Sequence, residues 1–223
     1  MRILVTGSTG CVGSALNSIC KDEADWVFTK REDCDLTDRK RTIEFFRNVE
    51  YLKISKEDCV VHLAAYVPGF YNVDKIASFS TNTRINENVL EASYRSCIFK
   101  GAFCLSVNMF LENPSKFPMD ESMIFEGGLS GVFAGYAYSK RMLAMQCQNY
   151  NEQSGVTKYF GFIPCNIYGP NDNSRYGRLI PNLLFKFKDA IKNNTDVVIN
   201  GTGKPLRQFI YSVDLARIIK QLV

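Results

Sequence analysis

The sequence predicts an α/β protein with a doubly wound parallel sheet and a smaller, truncated C-terminal lobe. Three observations lead to this prediction: an apolar strand at residues 3–6 runs directly into a glycine-rich loop, strand and helix patterns then alternate, and the composition changes after Pro164. Strands that alternate with helices at this spacing form βαβ units with right-handed crossovers. We therefore expect a sheet domain over residues 1–164 and a partial second lobe over residues 165–223.

The individual elements follow from apolar periodicity and from capping residues. Apolar runs predict strands at residues 3–6, 26–28, 59–65, 102–107 and 158–163. Helical patterns follow the glycine loop and the cap at residues 35–38, and two more cover about residues 79–95 and 136–152. In the second lobe we expect a loop at 166–178, a helix at about 180–192, and strands at 197–199 and 208–211. A final helix begins at Ser212 and stops at Val223 inside its apolar pattern, which is typical of a shortened chain.

The composition excludes several classes of protein. Of the 223 residues, 46% are hydrophobic and 22% are charged, which suits one good-sized core rather than a disordered chain. The net charge of +4 comes from scattered lysines and arginines, so nucleic acid is not the expected partner. Neither a signal peptide nor a run of about 18 apolar residues is present, so we expect a soluble, cytoplasmic protein without a membrane partner.

The cysteines and the histidine predict structural roles. The eight cysteines occur singly, without a C-x-x-C pair, and several lie inside apolar strand patterns. Such a distribution is typical of reduced, buried thiols in a cytoplasmic protein. With His62 as the single histidine, the sequence predicts no metal site. We expect His62 itself to be a structural residue on its strand.

The loop after the first strand has the spacing G-x-x-G-x-x-G and comprises Gly7, Ser8, Thr9, Gly10, Cys11, Val12 and Gly13. The first glycine allows a tight turn, the second lets a pyrophosphate approach the backbone, and the third lets the helix pack closely on the strand. The N-terminus of that helix offers amide donors and a positive dipole to phosphates. Because a strand precedes the loop and a helix follows it, the pattern predicts a Rossmann-like dinucleotide site rather than a bare structural turn.

The residues after the second strand distinguish between the two nicotinamide dinucleotides. An acidic residue at this place would hold the 2′-hydroxyl of NAD, but this chain has Lys30 and Arg31. Two cations suit a 2′-phosphate, so the sequence favours NADP, with two solvated loop charges as the alternative. We expect Asp35 and Leu36 to lie beside the adenine.

A second motif, Tyr136-x-x-x-Lys140, predicts chemistry on a carbonyl group. Residues four apart lie on one helical face, and an ammonium near a phenol favours the phenolate. We therefore expect the pKa of Tyr136 to be lowered, which would make its hydroxyl a proton donor and acceptor near neutral pH. Ser106, at the end of the fourth strand, can add a hydrogen bond to the same substrate oxygen. An amphipathic helix face is the alternative explanation of the motif.

These motifs together resemble the extended short-chain dehydrogenase/reductases, and within them the GDP-L-fucose synthase family. The resemblance covers almost the whole chain, and its most specific stretches lie at residues 166–173 and 201–215. It implies an NADPH-dependent reductase and epimerase that converts GDP-4-keto-6-deoxy-D-mannose, a GDP-linked deoxyhexose, into GDP-L-fucose. It also implies a homodimer formed through the helices at about residues 84–97 and 136–152.

The resemblance also implies roles for individual residues. Ser106, Tyr136 and Lys140 would form the catalytic triad, in which Tyr136 protonates the C4 oxygen and Lys140 also binds the nicotinamide ribose. The cofactor would be lined by Leu63, Ala64 and Ala65 and bordered, together with the sugar, by Pro164 and Asn166. The nucleotide diphosphate would face Lys186 and Arg207, because two cations offset two phosphate charges.

Two positions depart from the family's pattern. The family uses a cysteine and a histidine as acid and base at C3 and C5, and this chain has Asn108 and Arg178 at those substrate-binding positions. An amide does not transfer protons at neutral pH, and a guanidinium stays protonated. The sequence therefore leaves three functions open: the full reaction, another sugar-nucleotide epimerase or a plain 4-reductase, and a non-catalytic paralogue that binds nucleotide.

Overall fold

The computed structural model describes residues 1–48, 57–67, 69, 73–172, 178–199 and 201–223. Five parallel strands form the main sheet in the order β2-β1-β3-β4-β5. They are β1 (Ile3–Thr6), β2 (Trp26–Phe28), β3 (Cys59–His62), β4 (Lys100–Cys104) and β5 (Lys158–Phe162). The helices that connect them are α1 (Cys11–Cys20), α2 (Arg39–Asn48), α3 (Lys75–Arg95) and α4 (Ala134–Ser154). The doubly wound α/β prediction is therefore confirmed.

Two strands are shorter than the apolar pattern predicts. β3 ends at His62 rather than residue 65, because the next residues turn beneath the glycine loop, where the Ala64 amide donates to the Thr6 hydroxyl (3.4 Å). β4 covers residues 100–104 rather than 102–107. It ends there because Ser106 caps a one-turn 3₁₀ helix by accepting a hydrogen bond from the Asn108 amide (3.2 Å). Ser106 thus lies just beyond the strand rather than in it.

Apolar clusters cover both faces of the main sheet, as a doubly wound topology requires. On one face, Leu4, Val60 and Phe103 pack with the long helices α3 and α4 and with Phe46 of α2. On the other face, α1 packs against the last helix, α6 (Ser212–Leu222), over β1 and β3. An ion pair between Lys220 of α6 and Glu23 after α1 joins the same two segments. The last helix therefore completes the core of the main sheet.

The second lobe contains a parallel two-stranded sheet and one amphipathic helix. Its strands are β6 (Asn166–Tyr168) and β7 (Phe209–Tyr211), and the helix is α5 (Leu179–Asn193). The predictions of α5 and of a strand near residues 208–211 are confirmed, but two others are wrong. Residues 166–168 form a strand, because a partner distant in sequence supplies their hydrogen bonds. Residues 197–199 form no strand: Val198 is 70% exposed, and its carbonyl accepts from Lys186 Nζ (2.7 Å).

A buried polar network joins β1 and β3 to the long helices. The imidazole of His62, which is fully buried, bonds Thr6 Oγ1 through Nδ1 (2.7 Å) and Asn86 Oδ1 through Nε2 (3.2 Å). The amide of Asn86 on α3 donates in turn to the carbonyl of Ser139 on α4 (3.3 Å). His62 is thus a structural histidine that fixes α3 and α4 relative to the sheet.

In the part of the chain that the structure describes, the cysteines and helices provide neither a metal site nor a membrane span. All eight cysteines are free. Among the described residues, no cluster of three potential metal ligands occurs. In the same part of the chain, no helix combines the length and the apolar character that crossing a bilayer requires.

The network around His62 predicts that stability depends on pH in a window where the carboxyl groups contribute little. Burial, with a smaller contribution from the charge of Lys140, lowers the pKa of His62 to about 3 from its usual 6.5. The unfolded chain then binds a proton below pH 6.5 that the folded chain does not bind. The free energy of unfolding therefore has its full value above pH 6.5 and falls by about 1.4 kcal/mol per pH unit as the pH drops from there towards 3.

Urea unfolding of the protein at pH 7.0, 6.0 and 5.0 tests this dependence. Because His62 is the only histidine, the matched control is His62→Gln, whose free energy of unfolding should change much less over that range. A wild-type free energy of unfolding that stays constant between pH 7 and 5 would show that the imidazole is not held neutral.

Candidate active site

The glycine loop has the close contacts that a dinucleotide fold requires. Gly7 has a φ of +73°, and a Cβ there would lie 2.6 Å from the amide nitrogen of Ala64. A Cβ on Gly13 would lie 2.2 Å from the carbonyl oxygen of Gly7. Leu63, Ala64 and the loop are thus in direct backbone contact. Two of the three glycines are needed to bring β1, α1 and the end of β3 together.

Gly10 differs from the other two glycines because the space beside it is open. It is the N-cap of α1, with an extended backbone (φ −75°, ψ 174°) and no side-chain capping bond. A Cβ there would meet only the Gly7 carbonyl oxygen, at 3.4 Å. The N-terminal amides of α1, at Cys11, Val12 and Gly13, thus have no capping side chain, as an anion-binding helix N-terminus requires.

A cleft of about 420 Å³ extends from the glycine loop towards the end of β2. Ser8, Thr9 and Lys30 line it together with Ser14, Asn17, Ser18, Phe28 and Asn171. Ser8 is held there because its hydroxyl donates to the carbonyl oxygen of Thr29 (2.7 Å). The structure thus brings Lys30 to the predicted phosphate loop and gives the cleft a cation at its outer end.

Arg31, Asp35 and Leu36 follow Lys30 around the end of β2. Arg31 is exposed. The carboxylate of Asp35 accepts from the amide (3.0 Å) and the hydroxyl (2.8 Å) of Thr37, and these bonds lower its pKa. The carbonyl of Leu36 accepts from Asn88 on α3 (2.8 Å). These contacts hold the segment in one conformation beside the cleft.

Three side chains meet where β4 and α4 come together. Tyr136 and Lys140 lie one turn apart on α4, and the Lys140 ammonium is 5.8 Å from the centroid of the Tyr136 ring. Lys140 is 2% exposed, and its Nζ donates to the carbonyl of Cys104 at the end of β4 (2.7 Å). The hydroxyl of Ser106, two residues further on, is hydrogen-bonded to the Tyr136 phenol.

The prediction of a lowered Tyr136 pKa is wrong for the protein without bound ligands. Burial raises the pKa of Tyr136 well above its usual value, and the hydrogen bond with Ser106 and the charge of Arg178 offset only part of that increase. The Lys140 ammonium donates to Cys104 instead of the phenol, and burial lowers the pKa of Lys140. The phenol is therefore protonated at neutral pH.

Asn108 and Arg178, the two departures from the family pattern, both lie near this group. Asn108 is exposed, and its backbone amide donates to the Ser106 hydroxyl (3.2 Å). Arg178 is the N-cap of α5, and its guanidinium forms an ion pair with Asp172 (2.7 Å), whose side chain is 1% exposed. The charge of Arg178 reaches Tyr136, whose pKa it lowers. Asp172 is a residue that sequence reasoning missed, because no local pattern distinguishes a carboxylate buried by a tertiary contact.

The other predicted residues lie further from the triad. Pro164 follows β5, while Asn166 lies in β6 and its side chain donates to the carbonyl of Gln208 (3.0 Å). Ala65 follows Ala64 in the turn after β3. Lys186 is half-buried and Arg207 is exposed, and each donates to a main-chain carbonyl of its own lobe, at Val198 and Leu206 respectively. The structure therefore leaves these last two outside the group around Ser106.

The doubly wound sheet, the glycine loop and the Ser-Tyr-Lys group define a dinucleotide-binding protein of the short-chain dehydrogenase/reductase class. Residues 3–223 match the model of the NAD dependent epimerase/dehydratase family, and the chain belongs to that family.

Two relatives and one solved structure are similar to most of this chain. GDP-L-fucose synthase from Dictyostelium discoideum is 43% identical over 96% of this chain and 67% of its own length. A probable GDP-L-fucose synthase from Drosophila melanogaster is 36% identical over 98% of this chain and 70% of its own length. The crystal structure of a GDP-L-fucose synthetase from Naegleria fowleri bound to NADP superposes with a TM-score of 0.86 at 36% identity, covering 98% of this chain and 71% of that one. The chain thus spans about two thirds of the length of these relatives.

The glycine geometry predicts that alanine lowers stability at one position of the loop and cofactor binding at another. Gly13→Ala should lower the free energy of unfolding by about 1–3 kcal/mol, because its Cβ overlaps the Gly7 carbonyl. Gly10→Ala should leave stability nearly unchanged and weaken NADPH binding about tenfold or more, because its Cβ projects towards the expected pyrophosphate. Thermal unfolding and fluorescence titration with NADPH measure the two effects. Unchanged NADPH affinity in Gly10→Ala would contradict the assignment of the loop as the phosphate site.

Proposed function

We propose that this chain catalyses the NADPH-dependent reduction of the C4 carbonyl of GDP-4-keto-6-deoxy-D-mannose, in the formation of GDP-L-fucose. The observation that carries the proposal is the group formed by Ser106, Tyr136 and Lys140 at the ends of β4 and α4. The names of the relatives at 43% and 36% identity support the substrate.

The residues of the glycine loop fit a dinucleotide. The uncapped N-terminus of α1 and the open side of Gly10 would hold the pyrophosphate, and Lys30 would hold a 2′-phosphate. Leu63, Ala64 and Ala65 would line the path towards Lys140. NADPH bound there supplies a hydride to the carbonyl carbon. The NADP in the Naegleria fowleri structure supports the choice of this cofactor.

The protonation states suit reduction. When a hydride adds to the carbonyl carbon, the carbonyl oxygen needs a proton. The raised pKa of Tyr136 keeps a proton on the Tyr136 hydroxyl at neutral pH, where it can be donated to that oxygen. Ser106 Oγ accepts from the Asn108 amide and is hydrogen-bonded to the Tyr136 phenol, so a substrate oxygen that meets the phenol would also meet the Ser106 hydroxyl. Lys140, fixed by the Cys104 carbonyl, places a positive charge near the oxygen that becomes negative.

A plain 4-reductase is the second candidate, and the chemistry of Asn108 and Arg178 favours it. Epimerisation at C3 or C5 needs a group that removes a proton from carbon and one that returns it. Asn108 offers an amide, and Arg178 offers a guanidinium that is paired with the buried carboxylate of Asp172, and neither side chain is a general base. The substrate of such a reductase would already have the configuration of its product at C3 and C5.

The organisation of the protein follows the same proposal. Residues 1–164 would form the NADP-binding domain, whose core α6 completes, and the rest of residues 165–223 would contribute the part of the substrate lobe in which Asn166, Lys186 and Arg207 contact the nucleotide sugar. Eight free thiols support a reducing, cytoplasmic location.

Tyr136→Phe tests the reaction. Because the variant keeps the ring and loses the proton donor, we expect kcat to fall about 10²–10⁴-fold while the Kd for NADPH changes little. The assay follows NADPH absorbance with GDP-4-keto-6-deoxy-mannose and identifies the product by chromatography, which also shows whether C3 and C5 have inverted. Tyr150→Phe, further along the same helix, is the matched control, because it removes a phenol hydroxyl from α4 at a tyrosine that packs against Tyr94 and Tyr159 instead of the Ser106 group. A wild-type protein that binds NADPH and never turns over would favour the non-catalytic paralogue.

We also propose that the protein is a homodimer formed through α3 and α4. Ile76, Phe79 and Tyr94 on α3 and Met142 and Met145 on α4 are between 38% and 81% exposed. A second copy that covers these side chains would remove their apolar surface from water. Met145→Glu should therefore shift the mass measured by light scattering from dimer to monomer, whereas Ile191→Glu on α5 should not. A wild-type monomer at micromolar concentration would contradict the dimer.

A further inference from the structure

The residue after Lys140 is a buried arginine whose contacts the reaction does not explain. Arg141 is 6% exposed, and its guanidinium donates to three main-chain carbonyls, each at 2.8 Å. Nε bonds Met109, Nη1 bonds Gly127 and Nη2 bonds Glu126. Burial lowers the pKa of Arg141. Burying a guanidinium costs free energy, and hydrogen bonds to several main-chain carbonyls offset that cost.

All three carbonyls belong to the segment that connects Ser106 to α4, which we name the 107–129 loop. Met109 is fully buried and ends the 3₁₀ helix that Ser106 caps. Glu126 and Gly127 follow the second 3₁₀ helix at residues 121–125. The arginine therefore clamps both ends of the loop to the same turn of α4.

Tyr138 adds a fourth contact between the same helix and the same loop. Its hydroxyl accepts from the Leu129 amide (2.9 Å), and its ring centroid lies 5.9 Å from the Arg141 guanidinium. On an α-helix, Tyr138 and Arg141 share one face, whereas Tyr136 and Lys140 share another. One face of α4 thus carries the reacting groups, and a second face holds the loop that begins at Ser106.

We propose that Arg141, assisted by Tyr138, is a positioning residue that sets the Ser106 hydroxyl and Asn108 relative to the Tyr136 phenol. The proposal rests on the function proposed above. Ser106 has a short path to this clamp, because its Oγ bonds the Asn108 amide and its carbonyl accepts from the Met109 amide (3.1 Å). Reactive groups need to be held within about 0.5 Å of their productive geometry, and a shift of about 1 Å can cost a hundredfold in rate.

The experiment compares two clamp variants with a control on the same helix. Arg141→Lys keeps the charge but can reach only one of the three carbonyls. Tyr138→Phe removes only the bond to Leu129. Asn151→Ala is the control: Asn151 bonds Tyr159 and Thr157 near the end of α4, so its loss costs a comparable set of hydrogen bonds away from the site.

We expect kcat to fall about 10–100-fold in Arg141→Lys and about 2–5-fold in Tyr138→Phe, with the Kd for NADPH within twofold of wild type. The contact with Ser106 lowers the pKa of Tyr136, so its loss should also move the alkaline limb of the kcat profile to higher pH in Arg141→Lys. Asn151→Ala should lower the Tm and leave kcat and the pH profile unchanged.

Hydrogen exchange gives a readout that does not need turnover. Amides of the 107–129 loop should exchange faster in both clamp variants and at the wild-type rate in Asn151→Ala. Exchange at wild-type rates in Arg141→Lys, or unchanged kcat and pH profile with a lowered Tm, would overturn the positioning role. A wild-type protein without turnover would instead contradict the proposed function, and the exchange rates would still decide the role of Arg141.

Discussion

The buried ammonium of Lys140 is the constraint on which the candidate site depends. A cation that is 2% exposed is tolerated only where acceptors replace water. The Cys104 carbonyl provides the acceptor, which fixes where β4 ends and therefore where Ser106 lies. The same charge contributes to the lowered pKa of His62, whose neutral ring then bonds Thr6 and Asn86. The charge of Lys140 thus affects both the group around Ser106 and the buried network that joins the sheet to the long helices.

The glycine loop and the triad could be predicted from sequence because each is a local pattern. Spacings of three and four residues are set by the turn and the helix that contain them, so Gly7, Gly13, Tyr136 and Lys140 are recognisable without a tertiary model. The alternation of strands and helices likewise predicts a doubly wound parallel sheet. The fold of residues 1–164 can therefore largely be predicted from the sequence.

What sequence reasoning missed depends on partners distant in the chain. β6 is a strand because β7, some forty residues later, supplies its hydrogen bonds. Residues 197–199 have β-branched side chains but no such partner in the part of the lobe that the structure describes. The pKa of Tyr136 was predicted in the wrong direction because the spacing shows a nearby ammonium and not the desolvation that outweighs it. Arg141 has no local signal in the sequence, because the three carbonyls that it bonds lie 14 to 32 residues away in the chain.

Helix α4 therefore has two tasks, one on each of two faces. Its Tyr136–Lys140 face supplies a proton donor and a fixed charge, and its Tyr138–Arg141 face holds the loop that supplies Ser106 and Asn108. On the opposite side, Arg178 reaches Tyr136 from α5, and its charge is held by a buried carboxylate rather than by the triad. The proton donor thus has an amide and a guanidinium nearby, and neither of these side chains is a general base. Such surroundings favour a single proton transfer to oxygen over repeated proton exchange at carbon, which is why the reduction is the better supported half of the proposed chemistry.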